Sequence, residues 1–520
     1  MKGKTINPHS AFRIPHSTRG IVSLVGAGPG DPKLLTVRGQ ELLRQADVVV
    51  YDHLVSPRLL RACPPTAKAL YVGKIPGGRS VKQQAINALL IREARSGKRV
   101  VRLKGGDPFL FGRGGEEALA LAQAQIPFEV VPGVTSAIAV PAYAGIPVTH
   151  RGLSSSVAIV TGHEDPAKAG SAMRWGPLAA ASDTLVCLMG VGELAAIAER
   201  LRRHGRRATT PCAVIEWGTT SRQRVISGTL RTIAARAVEA AIQPPAVLVV
   251  GQVVRLRESL RWFERRPLFG KRILVTRASD NAATLTDQLE ARGAEVEELP
   301  MIELVSVRAN GLFRHAVNEM PKTHWVFFTS PEGIDWFARR LRPYRKDMRW
   351  LAGCRIGAIG PKTAAAIEKR GLRVDVVPRR YSQEGLLEQL PRRALKGKRA
   401  LILSAAGSRD VLTTGLRQRG MQVTKVPLYQ AVVPRGTAGR IRAIFQRPID
   451  LVTVTSASCV DHLASALRAA REGARFRQLR FASIGPVTSA AVRAAGGTVA
   501  VEAATSTIEG LVEAMTRHDV

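Results

Sequence analysis

The sequence predicts an α/β protein of several domains, and three observations carry that prediction. Short β-branched strand-like runs alternate with amphipathic helical stretches along the chain, the pattern that builds parallel sheets covered by helices. Apolar residues make up 45% of the chain but aromatics only 5%, which suits helices packed on sheets rather than a β-sandwich. At 520 residues the chain exceeds one ordinary core and predicts three or four domains.

The strand-like runs of the first half are "IVSLVGAG", "ADVVVYD", "RVVRLKGG", "FEVVPGV", "VAIVTGH", "TLVCLMG", "CAVIEWG" and "AVLVVGQVV". Nearly all end in glycine or a turn residue. Ligands of open α/β sheets sit at the carboxyl ends of strands, so these ends are expected to converge on one ligand. The first of them, "IVSLVGAGPGDPKLLT" (21–36), looks like a dinucleotide loop but is a poor one. Gly26 and Gly28 fill the first two places of Gly-x-Gly-x-x-Gly, while Asp31 stands in the third. Pro29 and Pro32 flank it, so a helix cannot start smoothly there. The loop is built for close backbone approach, but not to NAD.

Near residue 265 the text changes. A charged helical end, "VVRLRESLRWFERRPLFG", runs into Pro267 and Gly270 before a new strand, "KRILVTRA". This places a boundary at 262–270. Beyond it the chain repeats itself. "GKRILVTRA" at 270 returns as "GKRALILSAAG" at 397, and "HWVFFTSPEGIDWF" at 324 as "IDLVTVTSASCVDHL" at 449. "RIGAIGPKTAAAIEKRGLRVDVVP" at 355 returns at 480, and "SQEGLLEQL" has "STIEGLVEAM" as its counterpart. The offset stays between 125 and 127 residues, which predicts two similar α/β lobes with parallel sheets.

Bulk properties narrow the class. No apolar run approaches the ~20 residues needed to span a bilayer. The polar start "MKGKTINPHSAFRIPHSTRG" lacks the apolar core of a signal peptide and reads as a disordered extension over 1–19. Five scattered cysteines without a CxxC read as buried small hydrophobes in a reducing, cytoplasmic setting. The formal charge of +36 fits a solvated basic surface, a polyanionic small molecule or a nucleic acid. The basic residues are spread over the chain, with no basic tail and no aromatic platform for single strands.

"RLKGGDPFLFGRGGEE" (102–117) is the most unusual stretch. Gly105 and Gly106 permit backbone conformations closed to other residues, Asp107 adds a carboxylate and Pro108 fixes the turn. This suits a ribose or an ammonium group; an Asx-type turn would use the same residues. Thr135 and Ser136 open a helix of small residues, where capping is their ordinary role.

With "VGAGPGDPKLLTVRG", "YDHLVS", "YVGK", "VRLKGGDPFLFGRGGEE", "VPGVTSAIAVPAYAGIPVTHR", "VTGH" and "CLMG" in order, residues 20–262 resemble uroporphyrinogen-III C-methyltransferase. The resemblance implies a two-lobed tetrapyrrole methylase fold, a homodimer, and S-adenosylmethionine bound between the lobes, leaving as S-adenosylhomocysteine. By position it puts Pro29, Gly105, Gly106, Asp107, Leu110, Thr135, Ser136, Met189 and Gly218 at the cofactor. Ser136 replaces the alanine usual in the family. It also suggests Asp52 as proton acceptor and Lys74 as donor. Methyl transfer to a pyrrole carbon needs alignment and then loss of a proton, and positioning supplies much of the rate. Both residues could therefore serve only to orient substrate.

With "LVTRA", "FTSPEGI", "AIGPKTAAAI", "PLYQAVVP", "VTSASCV" and "SIGPVTSAAV", residues 270–520 resemble uroporphyrinogen-III synthase, joined through a linker at 263–269. That family closes hydroxymethylbilane with inversion of its last ring and loss of water, using no metal and no organic cofactor. The resemblance implies two α/β lobes that the chain crosses between twice. In "IGPKT" and "IGPVT" proline falls at a first helical position, where free N–H groups can bind carboxylates. Thr363 and Thr488 would add hydroxyls, unless they only cap helices, as would Ser330 and Ser456 after their strands. Tyr429 matches a cleft tyrosine that would assist loss of the hydroxyl, with core packing as its ordinary alternative.

One family's product is the other's substrate, and both substrates bear eight carboxylates, which gives the positive charge a small-molecule use. The expectation is a bifunctional enzyme feeding sirohaem or cobalamin synthesis, with no metal, no membrane and no nucleic-acid partner. The rival readings are a silent synthase-like half and, more remotely, a basic nucleic-acid-binding protein.

Overall fold

The computed structural model describes residues 20–73, 81–162, 173–276, 279–307, 311–391 and 395–517. The 1–19 extension and Lys74 lie outside these residues. The chain gathers into two compact units, residues 1–271 with 289–295 and residues 272–288 with 296–520. Each unit holds two five-stranded sheets.

The first sheet consists of β1 (Ile21–Gly26), β2 (Val48–Tyr51), β3 (Lys68–Tyr71), β4 (Arg99–Lys104) and β5 (Phe128–Val131). Its order is β3-β2-β4-β1-β5 with every ladder parallel. Helices cover both faces, so the inner strands read as mainly apolar runs, interrupted by Ser23 in β1 and by Arg102 and Lys104 in β4. Val22, Leu24, Val48, Val50 and Val100 belong to one buried cluster, and Val25, Val49, Val101 and Leu103 to another. Each such side chain, fully buried, contributes about 1.5–3 kcal/mol. Parallel pairing puts the loops after β1, β2, β4 and β5 on one edge.

The second sheet consists of β6 (Val157–Thr161), β7 (Thr184–Leu188), β8 (Pro211–Glu216), β9 (Arg224–Thr229) and β10 (Ala246–Val250), in the order β6-β7-β10-β8-β9. Only β6–β7 is parallel; β10 runs antiparallel to β7 and β8, and β8 antiparallel to β9. Strand β9 was not legible beforehand. Its residues are partly exposed on an edge, so no apolar run announces it.

In the second unit, β11 (Arg272–Val275), β12 (Glu295–Glu298), β18 (Leu451–Val454), β19 (Arg480–Ser483) and β20 (Thr498–Glu502) form one sheet, ordered β12-β11-β18-β19-β20. The other is β13 (Glu303–Ser306), β14 (Trp325–Phe328), β15 (Arg355–Ala358), β16 (Arg399–Ala405) and β17 (Gln422–Val432), ordered β13-β17-β16-β14-β15. The two copies of the repeat therefore do not coincide with the two lobes. Strand β11 leads the first copy but pairs with β18 of the second, and β16 leads the second copy but pairs with β14 of the first. Even the register is shared: Ile273 faces Leu451, and their counterparts Ala400 and Trp325 face each other.

The expected parallel pairing fails in the second sheet, with its three antiparallel ladders, and among the described ladders of the second unit at one place. Strand β17 runs parallel to β16 and then antiparallel to β13. Strand β13 brings the chain into this lobe and the end of β17 takes it out, so the two segments can meet only head to tail. Phe328, Phe337, Leu401 and Val426 fill the core beside this sheet, and Leu274, Val452, Leu463 and Phe481 that of its partner.

Candidate active sites

At the carboxyl edge of the first sheet three loops touch backbone to backbone. A Cβ on Gly26 would fall 2.4 Å from Gly133 Cα, and one on Gly133 would fall 2.3 Å from the Gly106 carbonyl oxygen. The close approach expected of the first loop is thus made, in part, to another loop of the same chain. Gly106 N–H donates to Gly28 O at 2.7 Å and Gly28 N–H to Gly106 O at 3.2 Å. Asp107 accepts from Phe109 N and Leu110 N through Oδ1 (2.8 and 3.1 Å) and from Gly133 N through Oδ2 (3.0 Å). The Asx-type arrangement is present, and it ties the second loop to the third. Thr135 accepts from Ala137 N at 3.2 Å and caps the helix Ser136–Tyr143.

The second sheet supplies the other side. Gly218 packs so closely on this helix that a Cβ would meet Val140 Cγ1 at 2.3 Å. Leu110 packs against the cluster that contains Leu188, the residue before Met189. Asp31 N donates to Thr219 Oγ1 at 3.2 Å, and Tyr143 donates its hydroxyl to Asp31 Oδ2 at 3.0 Å. Burial, and then the Asp31 carboxylate, hold the Tyr143 hydroxyl well above its ordinary pKa. Left-handed backbone at residues other than glycine concentrates here: Phe111, Arg113, Met189, Trp217 and Thr219 all have positive φ. Such strain collects where function over-determines the backbone. Met189, with φ +57°, is also 53% exposed.

The structure thus brings Pro29, Gly105, Gly106, Asp107, Leu110, Thr135, Ser136, Met189 and Gly218 onto a connected set of loops. A side chain added at Gly106 would meet nothing nearer than Ser136 N at 3.8 Å, so a cradle is open in front of this glycine. The backbone groups and hydroxyls that border this opening are of the hydrogen-bonding kind that the ribose and amino-acid portions of S-adenosylmethionine require.

Asp52 follows β2 on the same edge. Its Oδ1 accepts from Leu54 N at 3.1 Å and its Oδ2 from Arg102 Nη2 at 3.3 Å. Arg102, Lys104 and Glu117, which sequence reasoning passed over, form a buried charged group behind it. Burial, then the neighbouring Arg102 charge, lower the Lys104 pKa, opposed by Glu117. A signal was available: two cations at i and i+2 inside an apolar strand point to one face and demand partners there.

In the second unit the predicted residues divide between the sheets. Ser330 follows β14, caps the helix Pro331–Leu341 by accepting from Gly333 N at 3.1 Å, and lies 2.7 Å from the Tyr429 hydroxyl. Tyr429 is 6% exposed and stacks on Trp336 with centroids 6.3 Å apart. Burial pushes its phenol pKa up, opposed by the Ser330 hydrogen bond. Thr363 is the third residue of the helix Pro361–Glu368, after β15. On the other sheet Ser456 caps the helix Ala457–Ala469, and Thr488 is the third residue of Pro486–Ala494. Both threonines are buried and neither caps its helix; Gly360 and Gly485 stand at the N-caps without a side-chain bond. A shallow depression lined by His315, Glu319, Thr323, Arg399 and Gln422 lies at the opposite, amino-terminal strand ends and holds none of these residues. Among the described residues no cluster of His, Cys, Asp or Glu is placed to hold a metal ion, and no helix is long and apolar enough to cross a membrane.

Comparison with known proteins gives two family matches. Residues 22–234 match the tetrapyrrole (corrin/porphyrin) methylases and residues 271–513 match uroporphyrinogen-III synthase HemD. The porphyrin biosynthesis protein HemD of Ruminiclostridium josui is 40% identical over 452 residues, 86% of this chain and 89% of that protein. The S-adenosyl-L-methionine-dependent uroporphyrinogen III methyltransferase of Methanosarcina barkeri is 53% identical over 241 residues, 46% of this chain and 94% of that protein. The crystal structure of uroporphyrin-III C-methyl transferase from Thermus thermophilus complexed with S-adenyl homocysteine is 45% identical. It covers 46% of this chain and 100% of that one, with a TM-score of 0.40.

Proposed function

Because the chain belongs to the family in which a tetrapyrrole methylase is joined to a uroporphyrinogen-III synthase, we propose that it makes uroporphyrinogen III from hydroxymethylbilane and then methylates it twice to precorrin-2. The observation that carries this reading is the presence, in one chain, of a strained glycine-packed loop cluster and a buried Ser330–Tyr429 pair.

In the methylating half, the backbone of 105–107, the start of the helix at Thr135 and Ser136, and Pro29, Leu110, Met189 and Gly218 hold S-adenosylmethionine. When bound, this cofactor supplies an electrophilic methyl group. Asp107 keeps the loops in place through its three backbone bonds. The methylated ring carbon already bears an acidic side chain and has no hydrogen, so the cationic macrocycle sheds its proton from a bridging carbon. Asp52 accepts that proton, and Lys74, outside the described residues, acts as donor.

In the synthase half, Tyr429 keeps its proton because burial raises its pKa, and it passes that proton to the departing hydroxyl. Ser330 orients it. Open N–H groups at the starts of Pro361–Glu368 and Pro486–Ala494, with Thr363, Ser456 and Thr488 beside them, receive substrate carboxylates. No metal or organic cofactor enters this half. The net charge of +36 draws in substrates that bear eight carboxylates.

The reading extends to a homodimer through the methylating half, supported by exposed Phe109, Phe111 and Leu119. It extends to the cytoplasm, supported by five free cysteines. The deciding assay feeds the protein hydroxymethylbilane with and without S-adenosylmethionine and reads isomer and mass after oxidation. Type III isomer alone, and a gain of two methyl groups with the donor, are expected. Type I isomer alone would sink the synthase half of the reading. Unmethylated product from added uroporphyrinogen III would sink the other.

A further inference from the structure

Behind Asp52 lies a chain of charges that the chemistry above leaves unused. Glu117, on the helix Gly114–Gln123, is 0% exposed. Its Oε1 accepts from Lys104 Nζ at 3.0 Å, Gln83 Nε2 at 3.1 Å and Arg102 Nε at 3.3 Å, while its Oε2 is buried with no partner among the described residues. The Arg102 guanidinium, likewise buried, also donates to Val50 O, Leu103 O and Asp52 Oδ2. It therefore spans two carboxylates: one sealed inside, the other at the loop edge with 21% of its side chain exposed.

A purely structural role accounts poorly for this arrangement. A fold stabilised by a buried ion pair satisfies both carboxylate oxygens, because a bare buried one is costly. Apolar side chains would fill the space at lower desolvation cost. What the group does achieve is orientation. Glu117 fixes the guanidinium plane, whose rigid fork then fixes one oxygen of Asp52, and Leu54 N fixes the other. Lys104 balances the charge, leaving two cations against two carboxylates.

We infer that Glu117 and Arg102 are positioning residues for methyl transfer, holding the Asp52 carboxylate in the orientation that accepts the substrate proton. The inference rests on the reading of Asp52 as proton acceptor. Among the described residues neither side chain hydrogen-bonds the backbone of 105–107 or the other positions assigned to the donor, so both act on turnover rather than on donor affinity.

The test is a double-mutant cycle on the full chain with uroporphyrinogen III and S-adenosylmethionine, using Glu117→Gln, Asp52→Asn and the pair. Donor binding is followed by calorimetry. Misplacing a reacting group by about an ångström costs up to ~10²-fold, so E117Q is expected to lower kcat by about 10- to 10²-fold with donor Kd and KM unchanged. In the D52N background the same change should have no further effect. Should E117Q fail to bind donor because it does not fold, Arg102→Lys replaces it in the cycle. That variant keeps the charge but cannot span both carboxylates, and the same outcomes apply. Equal losses from E117Q in both backgrounds would overturn the inference, as would an unchanged kcat or a loss confined to donor KM. A D52N enzyme with full turnover would instead overturn the reading of Asp52, and the inference with it.

Discussion

The hydroxyls of Ser330 and Tyr429 lie 2.7 Å apart although 99 residues separate them in the chain. Ser330 belongs to the first copy of the repeat and Tyr429 to the second. They meet because β16 and β17 of the second copy lie in the same sheet as β14 of the first. At the corresponding places of the other sheet stand Ser456 and Ile302, so the exchange gives the pseudo-symmetric unit one tyrosine–serine pair on one lobe. Tyr429→Phe should lower formation of the type III isomer by about 10²-fold or more, the usual loss of a general acid, without changing methyl transfer. Isomer analysis of the hydroxymethylbilane product checks this. An unchanged rate would reduce Tyr429 to a core residue.

Ser330 also caps a helix, so Ser330→Ala should both slow the synthase and destabilise its unit by about 0.5–2 kcal/mol. Denaturant unfolding measures the second effect. Thr363→Val, which removes a hydroxyl that caps nothing, separates a substrate role from a stabilising one: a rise in substrate KM is expected.

The glycines of the donor site should tolerate no side chain. In Gly133→Ala the new Cβ would lie 2.3 Å from the Gly106 carbonyl oxygen and 2.6 Å from Gly26 Cα, so the three loops must part. Donor binding measured by calorimetry should vanish while synthase activity in the same chain persists. Wild-type affinity would mean that the loops do not form the site. Asp107→Ala should be milder. It strips partners from three backbone N–H groups, at about 1–3 kcal/mol for each that stays buried, and should weaken donor binding accordingly.

Acid should expose the role of Asp183. Its Oδ2 accepts from Ser155 N, Ser156 N and Ser156 Oγ at 2.7–3.1 Å. These bonds, the Ser155 N–H first, hold its pKa below the ordinary 3.8. With the folded value depressed, the unfolded chain takes up the proton first, so the stabilisation is present above pH 3.8 and fades as pH falls through the folded value. Asp183→Asn should melt at a lower temperature than wild type at neutral pH, and the gap should close as the solution is acidified. A gap independent of pH would show that the carboxylate charge does not matter.

Thiol labelling should rank the cysteines. Burial pushes Cys187 and Cys212 up to about 12, and both are fully enclosed. The thiolate is the reactive form, so alkylation at pH 8 should reach the half-buried Cys63 and Cys354 long before these two. Mapping by mass spectrometry checks the order. Early labelling of Cys187 would contradict the packing of the second sheet.

The sequence by itself determined what is local or periodic. It located most strands, the glycine-rich turns at their carboxyl ends and the repeat, because each is set by alternation, turn chemistry or motif within a few tens of residues. Tertiary structure decided what depends on partners distant in sequence. Which copy supplies each leading strand is invisible in the repeat, since β11 and β16 are apolar parallel strands that either sheet could bury equally well. The antiparallel meeting of β13 and β17 follows only from the path of the chain between lobes. Likewise Gly26 announced a close approach, but only the fold showed that Gly133 is the neighbour. The Asp52–Arg102–Glu117 chain joins a strand end, a neighbouring strand and a helix. The text marks Arg102 as a cation inside an apolar strand but names neither Asp52 nor Glu117 as its partner, because a charge out of water must find its partner wherever the fold has placed one.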